Sequence, residues 1–276
     1  MRRWLVLAGL SALLSLGCSD TEDSANGGSA GAGGSGTGPL QGEARPDCDV
    51  LSPEFCGLPF PSNYYLADDP TGKNPSGKRV QFGAKTLPIF RAETPQEKQI
   101  SPELFYQQDG FSTGQAPMYF LRGATVAGLP TFDTIDASTK TTSPTVLIDA
   151  ETGELVPHFS ELDMSSNNPE TRAEQSMLMI RPVVRPRDKT RYIVAIRNVV
   201  DAAGKVIEPV ASFKALRDKT PTDQAAIEGR REAYEDIFTR LEKAGIERAS
   251  LQIAWDYTTA SVENNTSRML HMRDDA

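Results

Sequence analysis

Histidine is the usual general base near neutral pH, and this 276-residue chain has two. His158 follows a short strand-like stretch, and His271 has Asp274 and Asp275 three and four positions further on. With Ser261 or Ser267, a Ser–His–Asp hydrolase set can be drawn from these residue types. Such a set is recognised by mutual geometry, not by collecting types from one helix, so no catalytic residue is assigned. His271 with the two aspartates is an equally thin metal patch, lacking a second nitrogen ligand or a shaped loop. Gly27-Gly28-Ser29-Ala30-Gly31 has the spacing of a nucleophile elbow. An elbow needs a buried strand before the Ser and a helix after it, and here there is only linker. No P-loop, dinucleotide fingerprint, EF-hand or H-E-x-x-H is present. No cofactor-binding or metal-ligating residue is assigned, and no cofactor is expected. The Asp68-Asp69 pair falls in a turn cluster, where both carboxylates are expected to be solvated.

The remaining chemistry belongs to export. Arg2 and Arg3 precede an apolar run from residue 4 to 16. That run is shorter than the roughly 20 residues a spanning helix needs and reads as a secretory signal over residues 1–17. It ends Leu14-Ser15-Leu16-Gly17-Cys18, which resembles the lipobox of bacterial lipoproteins, although Ser15 stands where Leu is usual. The resemblance implies lipidation at Cys18. Ser19 after it implies sorting to the outer membrane. Residues 18–42 are then the lipidated Cys and a Gly/Ser/Ala tether. A coil of that length reaches roughly 25–30 Å. Of the three cysteines, Cys48 and Cys56 are left, and an even pair in an exported chain predicts a disulfide. A zinc pair is the alternative. It lacks nearby histidines, and the C-x7-C spacing does not suit it.

Lys+Arg number 29 against Asp+Glu 37, for a net charge of −8, and no basic run offsets it. That excludes a phosphate-backbone partner, so no nucleic acid is expected. Few aromatics with many Gly and Pro suit a loop-rich β protein.

The elements that would hold any site follow from periodicity. Residues 43–143 are Pro- and Gly-punctuated, with Phe60, Tyr64, Tyr65, Phe105, Tyr106 and Phe111 recurring between loops. These aromatics anchor an irregular wrap to a core, or alternatively form a binding platform. Short strands are expected at 78–82 and 118–121, and a polar loop or edge at 133–142. Residues 144–216 form a compact β unit. Within it, Arg191–Arg197 is apolar on both faces and belongs inside a covered sheet. Asp201-Ala202-Ala203-Gly204 is a type I turn with Gly204 left-handed, and 205–208 returns as the partner strand, ended by Pro209. Residues 146–157 repeat this recipe around Asp149-Ala150-Glu151-Thr152-Gly153. Another strand is expected at 177–180 and a polar loop at 163–174. Residues 217–276 read as helix, strand, helix. The first helix is expected to be capped by Thr220 and stopped by Gly245, with Ile227, Tyr234, Ile237, Phe238 and Leu241 facing the core. Arg231–Glu235 and Asp236–Arg240 form its outer pairs. The strand spans 251–258. In the last helix the stripe Met269, Leu270, Met272 is expected to be core.

Ala254-Trp255-Asp256-Tyr257-Thr258-Thr259-Ala260-Ser261 and Arg268-Met269-Leu270-His271-Met272-Arg273-Asp274 carry a family likeness. So do Phe60-Pro61-Ser62-Asn63, Asp69-Pro70-Thr71-Gly72, Asp109-Gly110-Phe111-Ser112, and residues 191–209 with Phe213. Over about residues 45–276 the chain resembles the N-terminal region of secreted bacterial virulence-factor-type lipases, exported α/β-hydrolase-like lipoproteins of myxobacteria and relatives. In that family the nucleophile and its His lie in a downstream hydrolase domain, so none is carried over. The resemblance implies an Ig-like hairpin at 191–209. The fold expected is mainly β with α: an Ig-like β-sandwich unit with an irregular N-terminal wrap and a C-terminal helix-strand-helix. It also implies a module that is not catalytic by itself, held to the membrane by its lipid. The abrupt end in a charged helical stretch reads as truncation ahead of a downstream hydrolase domain. The alternative is a free-standing envelope lipoprotein that binds an envelope polymer or lipid substrate.

Overall fold

The computed structural model describes residues 47–87, 89–91, 97–165 and 176–276, all within a compact unit that spans 40–276. The signal, Cys18 and the tether lie outside the described residues, as does most of the loop expected at 163–174.

The fold is mainly antiparallel β with a few helices. Its centre is β9 (Arg191–Arg197), in a three-stranded sheet between β6 (Thr145–Asp149) and β10 (Leu251–Thr258). Val194 sits opposite Leu147 on one side and Trp255 on the other. All three strands are buried almost throughout, as expected for a sheet covered on both faces. A second three-stranded sheet has the order β5 (Met118–Tyr119), β8 (Leu178–Pro182), β7 (His158–Leu162). Both sheets feed one hydrophobic core. Two further pairs join β1 (Leu66–Asp68) to β2 (Lys78–Val80) and β3 (Ile89–Arg91) to β4 (Glu97–Gln99).

The two Asp-headed turns are alike. Asp149 and Asp201 each accept backbone N–H groups of their own turn on Oδ1, and Gly153 and Gly204 have φ of 74° and 77°. Each closes on a single bridge, Ile148 with Leu155 and Val200 with Val206. The return at 205–208 therefore pairs with the chain just after β9, not with β9 itself. Both edges of β9 are already taken, by β6 and β10.

The helices differ from expectation in three ways. First, α1 (Ala211–Arg217) stands where the sequence predicts no helix, being only seven residues, about two turns, shortly after Pro209. It ends in a Schellman motif, with Lys219 at φ 57° and Thr220 N–H donating to the Ala215 carbonyl. Thr220 thus closes α1, and it does not cap the next helix, which begins only at Ala225 with Gln224 at its N-cap position. Second, that helix is divided at Gly229 into α2 (Ala225–Glu228) and α3 (Arg231–Lys243). Its predicted face is nonetheless buried, and Gly245 (φ 81°) ends α3 in a second Schellman motif with Ile246 donating to Leu241. Asp236–Arg240 pairs as expected, whereas Arg231 turns to Glu228 and Glu235 to Arg248. Third, α4 (Val262–Asp275) has no buried residue. Met269, Leu270 and Met272 are 66%, 44% and 55% exposed, so they are not core. Residues 132–139, expected as loop, form a 3-10 segment that packs on β7.

The aromatics at 60–111 work mainly as anchors. Tyr65 and Phe111 are buried, while Phe60 and Phe105 lean on the core.

Candidate functional site

Segments far apart in the sequence meet along β10 and just beyond it. Phe111 N–H donates to the Thr258 carbonyl (2.9 Å), and Ala260 N–H to the Phe111 carbonyl (2.8 Å). At Gly110 the two backbones are so close that an added Cβ would lie 2.6 Å from Ala260 N, so this position needs glycine. The contact delivers Asp109, fully buried, to the start of α4. Its Oδ1 accepts from Ser261 N–H (3.0 Å) and its Oδ2 from Ser76 N–H (3.2 Å). The Ser76 hydroxyl donates to the Asp109 carbonyl (2.8 Å). A carboxylate at this end of a helix is also favoured by the dipole.

Ser261 caps α4 by accepting Asn264 N–H on Oγ (3.0 Å). The Asn264 amide donates to the Gln107 carbonyl (2.7 Å), and the Asn265 amide to Asp188 (2.9 Å). Two to three residues back from Thr258 along β10, Trp255 Nε1–H donates to the Pro61 carbonyl (2.8 Å), and the Asn63 amide to Asp256 (3.0 Å). Arg191 joins Asp256 (2.6 Å) to Asp236. Asp69 holds the neighbouring loop by accepting N–H groups of Thr71, Lys73 and Asn74, which keeps its pKa down at about 2.

Beside this junction lies an open groove of about 660 Å³, with Lys73, Asn74, Gln107, Ser112, Asn264 and Arg268 among its walls. Asn74 Nδ2 donates to the Lys78 carbonyl, Asn264 Nδ2 donates to the Gln107 carbonyl, and Ser112 Oγ accepts Gly114 N–H. No nucleophile in it is paired with a base. Ser261 Oγ is committed to its cap. His271 stands ten residues along α4, about 15 Å by helical rise, exposed and 3.4 Å from Asp275. The set Ser261, His271, Asp274 is thus not assembled, and Ser267, which lines the groove, lies one turn from His271 on a helix with no buried residue. Among the described residues no group of three or more His, Cys, Asp or Glu could hold a metal ion.

His158 serves the core. It is fully buried, its Nδ1–H donates to the Val156 carbonyl (2.8 Å), and Nε2 accepts from Thr145 Oγ1 (3.0 Å). Thr145 Oγ1 in turn accepts from Ser160 (2.9 Å). Burial pushes the His158 pKa down.

Cys48 and Cys56 form the expected disulfide. The intervening loop carries a buried ion pair that sequence reasoning missed. Asp49 takes both guanidinium nitrogens of Arg230, whose guanidinium lies over the rings of Tyr64 (5.2 Å) and Tyr234 (5.1 Å). Tyr65 Oη accepts Asp49 N–H (3.3 Å) and Gly57 N–H (3.1 Å), and burial pushes its pKa well up. Asp49 and Arg230 are 181 positions apart, and no motif links them.

Comparison with protein-family models, with curated proteins and with solved structures finds nothing that matches this chain.

Proposed function

We propose that this chain is the non-catalytic N-terminal module of an exported lipase- or esterase-like α/β-hydrolase. Cys18 carries lipid in the outer membrane, and residues 18–42 hold the module clear of the headgroups. The two three-stranded sheets act as an Ig-like unit that orients a downstream hydrolase domain.

One observation carries this reading. The segments that resemble the lipase N-terminal region do not scatter over the surface, but interlock along β10 and at the root of α4 through Asn63, Asp109, Gly110 and Ser261. A set of motifs spent on one another is a scaffold. Its outward product is α4, whose Met269, Leu270 and Met272 face away from the module's core. The reading as an envelope-binding lipoprotein draws less support. Tyr65 is buried, and Tyr64 is engaged with Arg230 and the Cys48 carbonyl.

The test is hydrolysis by residues 40–276, the compact unit with its own core. No turnover of short- or long-chain p-nitrophenyl esters is expected, and no labelling by a fluorophosphonate. Turnover abolished by a serine reagent would overturn the proposal.

A further inference from the structure

A second cavity lies away from the β10 junction, beside the disulfide. It is a groove of about 530 Å³, within the size range of small-molecule sites. Leu58, Phe82 and Thr86 form its floor and are buried, while Phe60, Met118 and Met177 line it half-exposed. The frame is fixed on several sides. Phe60 and Met118 are bridged by two backbone hydrogen bonds (3.0 and 2.6 Å), and the Thr86 hydroxyl donates to the Asp47 carbonyl (2.6 Å). Cys56, held by the disulfide, completes one wall. Two thioethers on the wall let the lining adapt to flexible apolar shapes.

Two charged side chains, Glu54 and Lys85, stand among the lining residues. Glu54 is neutralised by Arg122. Lys85 is exposed, and among the described residues its ammonium has no ion-pair partner. Its backbone N–H is pinned to the Asp47 carboxylate (3.0 Å), which sets Lys85 in the wall of the apolar groove. A largely apolar trough with an exposed lysine in its wall matches a ligand with an alkyl chain and one anionic head.

We propose that this groove binds a single free long-chain fatty carboxylate, the chain lying along Phe60, Met118 and Met177 and the carboxylate meeting Lys85. The proposal does not depend on the accessory-module reading, because it concerns binding and not turnover.

The experiment titrates residues 40–276 by calorimetry with dodecanoate below its micelle concentration, and in parallel with dodecanol and with phosphatidylglycerol vesicles. Saturable one-to-one dodecanoate binding is expected, with dodecanol weaker and vesicles giving none. Lys85→Glu weakens dodecanoate about fivefold or more, the scale of an exposed ion pair and its reversal, and leaves dodecanol unchanged. Met177→Trp fills the groove and abolishes both. Each variant is first checked for an unchanged melting temperature, since both side chains lie at the surface of the groove. Absence of saturable binding, equal affinity for acid and alcohol with no effect of Lys85→Glu, or binding to vesicles alone would each overturn the proposal.

Discussion

At the scale of residues, the strongest constraints are polar groups placed where water cannot reach. Asp49 and Arg230 are bound to each other inside the protein, so removing one leaves the other charge uncompensated. Asp49→Ala is expected to cost about 3–5 kcal/mol, read as a fall in the urea midpoint with little change in slope. His158 gives a pH signature. Its folded-state pKa is depressed by burial, whereas the unfolded chain takes the proton near about 6.5. Its contribution is therefore complete above that pH and is lost as pH falls below it. Urea midpoints measured between pH 7 and 5 should decline, and His158→Gln should flatten that decline; equal slopes would remove His158 as the cause. The disulfide was legible because Cys48 and Cys56 are close in sequence. The Asp49–Arg230 pair was not, because neither residue sits in a periodic or turn context that marks it.

At the scale of elements, β9, β10 and the buried face of α3 were readable because their apolar pattern is strong and their stops are chemical: Pro209 beyond the turn, Gly245 at the helix end. The misses come from tertiary context that local pattern does not carry. Thr220 has the side chain of a good N-cap, but it closes α1 and the next helix starts only at Ala225. Residues 205–208 look like a partner for β9, but both edges of β9 are occupied. The stripe of α4 has helical spacing, yet nothing among the described residues covers it. That helix is tied down at its root by Asp109, Asn264 and Asn265, and a lone helix of this length is marginal in water. Amide exchange should be slow at Ser261, Asn264 and Asn265 and fast over 269–275. Asp109→Ala should free the whole helix and lower global stability by about 1–3 kcal/mol, because Ser261 N–H and Ser76 N–H both lose their acceptor. Uniform protection along α4 would show that it packs on something else.

At the scale of the whole molecule, a mainly β architecture was visible in composition and order, while the assembly of distant segments along β10 was not. Asn63, Asp109 and Ser261 are separated by up to 198 positions, and only the pairing of β10 with β9 and Phe111 brings them together. The same pairing sets Ser261 apart from both histidines: Ser261 is used as a cap, His158 is buried in the core and His271 is exposed on α4. The proposal that this module precedes a hydrolase domain in one polypeptide is tested by the size of the native protein in its own cells, by blotting with an antibody raised to residues 40–276 and sequencing the band by mass spectrometry. A band well above the size of the 276-residue chain is expected, with peptides from a strand, G-x-S-x-G and helix beyond it. A band at the size of these residues alone would contradict it.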